Sequence, residues 1–315
     1  MELTIEQTAL KIRTVADNLS AVIRGKQQKN ELVVLALVSG GHILIEDIPG
    51  VGKTTLARAL AKSVTGKFNR IQFTPDLLPT DITGVNIYKQ NEGVFQFSPG
   101  PIFANILLAD EINRASPRTQ SAMLEAMSEG HVTMDGRRHH LPSPFIVLAT
   151  QNPIEYHGTY PLPEGQLDRF MLQIDLGYPP EDKERELIMS RTSQDPVDTI
   201  EPVLSLSSLH ELQIMVDQIR IEESVSEYLM NIVAATRQHG QLRLGVSTRG
   251  ALLYARIARA KAMLDGRDYV IPEDIKDLAV PVLAHRILLS ANNEQGNALR
   301  RDIITDILKT VEVPK

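Results

Sequence analysis

The decapeptide E-D-I-P-G-V-G-K-T-T, residues 46–55, decides the fold of this 315-residue chain. It follows the apolar run HILIED (42–47) and leads into the helical pattern LARALAKSV (56–64). A glycine-rich turn between a buried strand and a helix surrounds a phosphate group with backbone N–H groups and the positive end of the helix. The sequence therefore predicts a phosphate-binding loop, formed by Pro49, Gly50, Val51, Gly52, Lys53, Thr54 and Thr55.

The end of this loop has the side chains that nucleotide phosphates require. Lys53 is expected to reach the β- and γ-phosphates, and the Thr54 hydroxyl is expected to bind Mg²⁺. One position departs from the general G-x-x-x-x-G-K-[ST] pattern, because Asp47 stands where the first glycine is expected. A carboxylate that pointed into the loop would repel ATP, whereas one that pointed away would leave the affinity for ATP unchanged.

Apolar runs bounded by Gly, Pro or Asp recur through the first half of the chain and predict five buried strands. These are residues 42–47, 68–73, 105–110, 145–150 and 170–176. Helical patterns, notably 53–64 and 117–129, lie between or beside them. Strands that alternate with helices indicate a parallel sheet covered on both faces, so the predicted fold class is α/β.

Two hairpins are predicted to interrupt this alternation. The runs VNIY (85–88) and VFQF (94–97) flank a polar stretch, and residues 130–140 contain the strong turn signal Asp135-Gly136. Both are interpreted as insertions, because a strand–helix repeat needs only a short connection at these points. The basic residues 137–140 form either a solvated hairpin tip or a contact for an acidic protein.

Polar side chains follow two of the predicted strands at their carboxyl ends. ILLADE (106–111) ends in Asp110 and Glu111, and ATQNP (149–153) places Asn152 at the end of another strand. Sites in α/β proteins lie at this edge of the sheet, so we expect Asp110 to hold Mg²⁺ and Glu111 to polarise an attacking water. Asn152 either orients that water against the γ-phosphate or is only a turn former before the following proline.

Residues 181–315 show helical apolar spacing almost throughout, which predicts a second, all-α domain. The best linker candidate is residues 194–202 (QDPVDTIEP), which are rich in proline and acidic residues. We therefore predict a nucleotide-binding domain over residues 1–193 and a small helical domain over residues 194–315.

Composition excludes several classes of protein. The chain has no cysteine, so disulfides, Cys-zinc sites and thiol nucleophiles are excluded. With 33 basic and 39 acidic residues and 4% aromatic residues, it lacks the basic excess and the stacking rings of a nucleic-acid binder. The longest apolar run, residues 32–38, is far short of the roughly 20 residues that span a bilayer. We expect a cytoplasmic protein with no membrane insertion and no nucleic-acid partner.

Several motifs, read in order, resemble the MoxR branch of the AAA+ ATPases. They are EDIPGVGKTT (46–55), ADEINRASPRTQSAMLEAM (109–127), HVTMDG (131–136), FIVLATQNPIEYHGTYPLPEGQLDRF (145–170) and GVSTRG (245–250). The resemblance covers nearly the whole chain. It implies an αβα nucleotide-binding domain with a small all-α lid, and assembly into a homo-oligomeric ring, usually a hexamer, with ATP between neighbouring subunits.

The resemblance also implies roles for individual residues. Asp110 and Glu111 match the Walker B pair, and Asn152 matches sensor 1. Arg249 matches the sensor 2 arginine of the lid, although an arginine in the first turn of a helix is usually only solvated.

Arg169 is the best match to the arginine finger that reaches the γ-phosphate of the next subunit. Arg114 is its rival for this role, and a surface ion pair is the simpler interpretation of Arg169. Ile23 and Gly25 are placed near the adenine base by family similarity alone.

The implied function is an ATP-driven remodeller of protein complexes. Proteins of the MoxR branch act in maturation of complexes, including metal-cofactor insertion, often with a partner that has a von Willebrand factor A domain. The two hairpins resemble the helix-2 insert (about residues 80–100) and the pre-sensor 1 hairpin (about 130–140), which line the pore and contact the client in related rings. The alternative is the motor subunit of a magnesium-type chelatase, which shares these motifs. A nucleic-acid motor and a scaffold that binds ATP without turnover are disfavoured, the former by the net charge and the latter by Glu111.

Overall fold

The computed structural model describes residues 4–152, 159–190, 195–290 and 296–314. The strands, in chain order, are β1 (His42–Glu46), β2 (Phe68–Gln72), β3 (Gly84–Lys89), β4 (Val94–Pro99), β5 (Ile106–Asp110), β6 (His131–Met134), β7 (Arg137–His140), β8 (Ile146–Gln151), β9 (Phe170–Ile174), β10 (Leu242–Leu244) and β11 (Leu288–Leu289). The helices are α1 (Ile5–Val22), α2 (Gln27–Val38), α3 (Lys53–Ser63), α4 (Pro79–Thr83), α5 (Pro117–Glu129), α6 (Glu164–Leu167), α7 (Glu181–Ser190), α8 (Leu206–Gln218), α9 (Glu223–Gln238), α10 (Thr248–Leu264), α11 (Pro272–Leu283) and α12 (Gly296–Thr310).

A five-stranded sheet forms the centre of the first half, with the order β2-β5-β8-β1-β9. Every neighbouring pair is parallel, which confirms the predicted α/β class. All five predicted strands are present, and their ends lie within two residues of the predicted bounds. Because the strands run the same way, the segments that follow β1, β5 and β8 meet at one edge of the sheet, which we call the carboxyl edge.

Side chains along β1, β5 and β8 alternate between two hydrophobic cores. Ile43 and Ile45 of β1 belong to one core with α3, whereas Leu44 between them belongs to the other with α5. Helix α5 begins as its sequence predicts, because Ser116 caps it and Pro117 occupies its first position. Both faces of the sheet are therefore covered, as a parallel sheet requires.

Both predicted hairpins are present and they pack on each other. β3 pairs with β4 and β6 pairs with β7, each in antiparallel register. Asp135 and Gly136 have φ values of +48° and +75°, which is the two-residue turn that an Asp-Gly pair predicts. Between the hairpins, the Phe97 ring stacks on His139 with centroids 3.8 Å apart, and Asn86 Nδ2 donates to Asp135 at 2.6 Å.

The second half is mostly helical and shares a core with the first. Buried side chains of α10 and α12 belong to the same hydrophobic cluster as Ile43 and Ile45. The short strands β10 and β11 pair within it, a detail that apolar spacing did not predict because segments of three and two residues show no periodicity. The predicted boundary at residues 193 and 194 lies outside the described residues. Among the helices of the described ranges, none has the length and apolarity needed to cross a membrane.

His42, the first residue of β1, is held as a neutral imidazole. Its Nε2 donates to the carbonyl oxygen of Met127 at 3.2 Å, and its Nδ1 accepts from the Val147 N–H at 3.1 Å. Burial, with a smaller contribution from the charge of Arg249, lowers the pKa of His42 to about 4. A protonated ring would lose the bond from Val147 and place a charge in the core.

We expect His42 to make the protein less stable in mild acid. The unfolded chain takes up a proton near pH 6.5 and the folded chain only near pH 4, so the free energy of unfolding falls as the pH falls through this window. From pH 7.5 to pH 5 the loss from His42 alone is about 2 kcal/mol. Urea unfolding at both pH values tests this, with His42→Gln expected to lose correspondingly less stability. Substitution of the exposed His210 by Gln is the matched control, and an unaltered loss in His42→Gln would contradict the assignment.

Candidate nucleotide site

The predicted phosphate loop connects β1 to α3 at the carboxyl edge. Gly50 and Gly52 have φ values of +86° and +93°, a conformation that residues with a Cβ rarely adopt. Gly52 is the N-cap of α3, and Lys53 and Thr54 open the helix. Lys53 Nζ donates to the backbone oxygen of Asp47 at 3.0 Å, so its ammonium group lies across the loop.

The Asp47 carboxylate points away from the loop. One oxygen accepts from the N–H groups of Leu176 and Gly177 at 2.6 and 2.7 Å, and the other accepts from its neighbour Ile48 at 2.8 Å. The side chain is buried, with 6% exposure. Asp47 therefore ties the start of the loop to the segment after β9, and its charge is engaged by backbone N–H groups rather than directed at a phosphate.

A cleft of about 810 Å³ opens beside the loop, between the end of α1 and the start of α7. Ile23 lines it together with Gly50, Gly52 and Thr55 of the loop. Gly25 is not part of the lining of this cleft. It packs against Pro180, which a Cβ at position 25 would approach to 2.6 Å. The volume suits a nucleoside, since ligand clefts are typically about 300–1,000 Å³.

Asp110 ends β5 with both carboxylate oxygens engaged. The Thr150 hydroxyl of β8 donates to Oδ1 at 2.6 Å. Arg70 of β2 donates to Oδ2 from Nη2 at 2.7 Å and from Nε at 3.2 Å. The residue itself is buried at 8% exposure, so these contacts compensate for the loss of water around its charge.

Glu111 follows with a backbone φ of +58°, in the left-handed region that residues other than glycine rarely adopt. Its N–H donates to the Thr150 hydroxyl at 2.8 Å, which holds this backbone in place. Its Oε2 accepts from Gln72 Nε2 at 2.7 Å and lies 3.1 Å from Arg114 Nε. Strain of this kind, of order 1–3 kcal/mol, is concentrated at functional sites in proteins.

Asn152 lies just after β8 and is buried at 6% exposure. Because β8 lies between β5 and β1, Asn152 is at the same edge as Asp110 and the phosphate loop. Residues 153–158 of the motif FIVLATQNPIEYHGTYPLPEGQLDRF (145–170) lie outside the described residues.

The donors at this edge fit Mg²⁺. Helix α3, which begins with Lys53 and Thr54, packs against β5, which ends at Asp110. A carboxylate and a hydroxyl oxygen are hard ligands, and Mg²⁺ at phosphate sites keeps several waters and uses only one or two carboxylates. Asp110 and Thr54 are one carboxylate and one hydroxyl donor of this kind at the carboxyl edge.

Arg169 and Arg249 lie at the opposite, amino edge of the sheet. Arg169 directly precedes β9, and its Nη1 donates to the Ser128 hydroxyl at 2.8 Å and to the Leu124 carbonyl oxygen. Arg249 Nη2 lies 3.5 Å from the same Ser128 hydroxyl. A five-residue strand is about 16 Å long, so about this length of sheet separates the amino edge from the edge that carries the phosphate loop.

Asp168 joins the two arginines to the helical domain. It accepts from Arg286 Nε at 3.1 Å and from the Ser247 hydroxyl at 2.8 Å, and Ser247 is the N-cap of α10, in which Arg249 lies. Arg286 is buried, and burial lowers its pKa to about 10 although Asp168 opposes the shift. Asp168 thus positions Arg169 and Arg249 on one surface.

Sequence reasoning missed four residues at these edges: Arg70, Gln72, Thr150 and Asp168. Thr150 and Asp168 lie inside motifs that were singled out, but each contacts a partner distant in the chain. Arg70 and Gln72 alternate with inward-facing residues of β2, so only the pairing of β2 with β5 shows that they face Asp110 and Glu111.

The fold and the site define a nucleotide-binding protein of the AAA class. The defining features are a parallel sheet with a phosphate loop after β1, carboxylates after β5 and a helical domain that shares its core with the sheet. The sequence model of the ATPase family associated with various cellular activities (AAA) matches residues 42–172, and that of the AAA lid domain matches residues 234–307. Chaperone MoxR1 of Mycobacterium tuberculosis is 42% identical, over 93% of this chain and 80% of that protein. This chain belongs to the MoxR family of AAA+ ATPases.

Two further proteins are similar over nearly their whole length. Uncharacterized protein YeaC of Bacillus subtilis is 48% identical, over 95% of this chain and 93% of its own. The crystal structure of a candidate ATPase from Cytophaga hutchinsonii superposes with a TM-score of 0.89 at 39% identity, and covers 99% of this chain and 97% of that one.

Proposed function

We propose that this protein hydrolyses ATP to ADP and phosphate at the carboxyl edge of its sheet. The observation that carries the proposal is the meeting of Lys53, Asp110 and Glu111 at that one edge. Lys53 and the loop N–H groups would hold the β- and γ-phosphates, with the adenine base in the cleft lined by Ile23. Thr54 and Asp110 would hold Mg²⁺, which neutralises charge on the phosphate oxygens when bound. Glu111 would accept the proton of the attacking water, and Asn152 would orient that water.

The position of the two arginines supports shared sites between subunits. Arg169 and Arg249 are on the edge remote from their own phosphate loop and close to each other through Ser128. A head-to-tail ring joins two different surfaces of neighbouring subunits, and the proposed ring would place the amino edge of one subunit against the nucleotide of the next. We infer that both arginines act on the neighbour's γ-phosphate in a homo-oligomeric ring, usually a hexamer in this family. Arg114 contacts Glu111 of its own chain instead, which favours Arg169 as the finger.

The client is proposed to be a protein, as the name of the chaperone MoxR1 suggests for that relative. The paired hairpins β3–β4 and β6–β7 present exposed Ile87, Tyr88 and Phe95 and the basic residues 137–138, which suit contact with a polypeptide. The proposed role is maturation of a protein complex, of which metal-cofactor insertion is one form. The proposed partner is a protein with a von Willebrand factor A domain. The alternative function is the motor subunit of a magnesium-type chelatase. Purification of the assembled complex and identification of its partner protein would distinguish these two functions.

Replacement of Lys53 by Ala tests the nucleotide site. The variant loses the ammonium group that would bind the β- and γ-phosphates, so we expect ATP binding to fall below detection in titrations that saturate the native protein. Lys62→Ala, later on the same helix, is the matched control, since Lys62 Nζ donates to the backbone oxygen of Asp198 rather than to the loop. ATP affinity unchanged in Lys53→Ala would refute the phosphate loop.

A further inference from the structure

We propose that Arg70 is an internal counter-cation of the metal site. Its guanidinium pairs with the Asp110 carboxylate in the metal-free protein and must move away before Asp110 can bind Mg²⁺. This inference rests on the proposed function, because it assigns Asp110 to the metal ion of a bound nucleotide. It adds a residue that lies outside every motif of the sequence, on the edge strand β2.

The register of β2 and β5 brings Arg70 to Asp110. Gln72 lies opposite Asp110 and Arg70 lies opposite Leu108, and residues directly opposite each other in parallel strands face the same side of the sheet. A side chain as long as arginine reaches the residue two positions further along the neighbouring strand. Nη2 and Nε of Arg70 both donate to Oδ2 of Asp110, at 2.7 and 3.2 Å.

Arg70 occupies the open side of a carboxylate that is otherwise enclosed. The other oxygen of Asp110 accepts from the buried Thr150, and the Asp110 side chain is 12% exposed, against 46% for Arg70. A hydrated cation must therefore approach Asp110 from the side on which Arg70 reaches water. Because the Arg70 side chain is half exposed, its guanidinium can turn into solvent without leaving a charge buried.

The same guanidinium is connected to the second carboxylate. Arg70 Nη2 also donates to Gln72 Oε1 at 2.8 Å, and Gln72 Nε2 donates to Glu111 Oε2 at 2.7 Å. Gln72 is thus fixed between Arg70 and Glu111. When Arg70 leaves Asp110, the Gln72 amide loses its contact with Arg70 and no longer holds the Glu111 side chain in one orientation. Binding of a metal ion at Asp110 and the orientation of Glu111 are therefore linked through Arg70.

Removal of the Arg70 charge distinguishes two roles of this residue, counter-cation of Asp110 and ligand of the phosphates, because each role predicts a different effect on nucleotide binding. A counter-cation competes with Mg²⁺ for Asp110, so its loss lets Mg²⁺ act at lower concentration. A cation that binds the phosphates stabilises the nucleotide, so its loss weakens binding whether or not Mg²⁺ is present.

The experiment is a Mg²⁺ titration of the binding of a fluorescent ATP analogue, labelled on the ribose with N-methylanthranilate. We expect the Mg²⁺ concentration at the midpoint to be about 3–10-fold lower for Arg70→Gln than for the native protein, the range for loss of a charged hydrogen-bonded pair that is half exposed. Affinity for the analogue at saturating Mg²⁺ should not fall, because the metal ion then supplies the positive charge beside Asp110. Chelation of Mg²⁺ by the nucleotide in solution is the same for every protein, so differences between midpoints report the site.

Two further variants complete the test. Arg70→Lys keeps the charge with fewer directed donors, so its midpoint should lie between those of the native protein and Arg70→Gln. Arg220→Gln removes an exposed ion pair with Asp268 in the helical domain and should leave the midpoint unchanged. Thermal unfolding establishes that each variant is folded.

A midpoint for Arg70→Gln that is equal to or above the native one overturns the inference. A loss of affinity at saturating Mg²⁺ also overturns it and assigns Arg70 to the phosphates. Absence of analogue binding by the native protein at every Mg²⁺ concentration is a different result, which overturns the proposed ATPase function and this inference with it.

Discussion

Replacing Glu111 by Gln is expected to leave ATP bound and to reduce its hydrolysis by about 10²–10⁴-fold, the usual contribution of general acid–base catalysis. An amide cannot accept the proton of the attacking water. The substitution should preserve the local structure, because a glutamine oxygen can still accept from Gln72 and Arg114, which contact Glu111 now. The strained backbone at φ +58° is held by Thr150 through the N–H of residue 111, which the substitution retains.

Two measurements on one preparation check this prediction. Phosphate release gives turnover, and binding of the labelled nucleotide shows that the site is intact. Glu211→Gln, an exposed residue of α8, is the control for loss of a carboxylate elsewhere. Native turnover in Glu111→Gln would mean that another group accepts the proton.

Replacing Arg169 by Ala is expected to leave ATP binding unchanged and to lower turnover per subunit by about 10³-fold or more, as loss of an arginine finger does. Binding is spared because Arg169 lies at the amino edge, and about 16 Å of sheet separates that edge from the one that carries the phosphate loop of its own chain. The truncation removes hydrogen bonds to Ser128 and to the carbonyl oxygen of Leu124, both in the second half of α5. A small loss of stability is therefore expected, and thermal unfolding measures it.

Mixing variants shows whether the arginine acts between subunits. Arg169→Ala retains Glu111, and Glu111→Gln retains Arg169, so a mixed ring contains sites that have both groups. With random assembly about a quarter of the sites are complete, and turnover should rise to a similar fraction of the native rate. A mixture no more active than its components would contradict action between subunits. The same rescue with Arg114→Ala in place of Arg169→Ala would show that Arg114 is the finger.

Dilution of the native protein gives an independent check. If the site is shared, turnover per subunit falls as the oligomer dissociates, and size-exclusion chromatography in the same buffer follows the species present. Turnover that does not depend on concentration, from a monomer, would retain the phosphate loop and exclude the role of a neighbouring arginine.

Local patterns predicted the elements of the core within two residues, for physical reasons that the structure makes visible. The phosphate loop could be predicted because two glycines at positive φ, a strand and a helix N-terminus are consecutive in the chain. The helix from Pro117 could be predicted because its cap and its first turn are adjacent to each other. The hairpin at Asp135-Gly136 could be predicted because the turn sets the register of both strands.

The direction of Asp47 could not be predicted in the same way. Its partners, the N–H groups of Leu176 and Gly177, are about 130 residues away in the chain and become neighbours only when β9 pairs with β1. The contact of Arg70 with Asp110 likewise depends on the register of β2 against β5. Nothing in the periodicity of either strand specifies that register.

The sequence by itself determined the five strands of the sheet, helices α3 and α5, the phosphate loop, the carboxylates after β5 and the family to which the chain belongs, because each depends on residues close together in the chain. Only the tertiary structure decided that Asp47 points away from the phosphates, that Arg70 covers Asp110, and that Arg169 and Arg249 share the edge remote from their own nucleotide site. These outcomes depend on which strands pair and on how the helical domain packs against the sheet. Long-range packing sets both, and no short stretch of sequence encodes it.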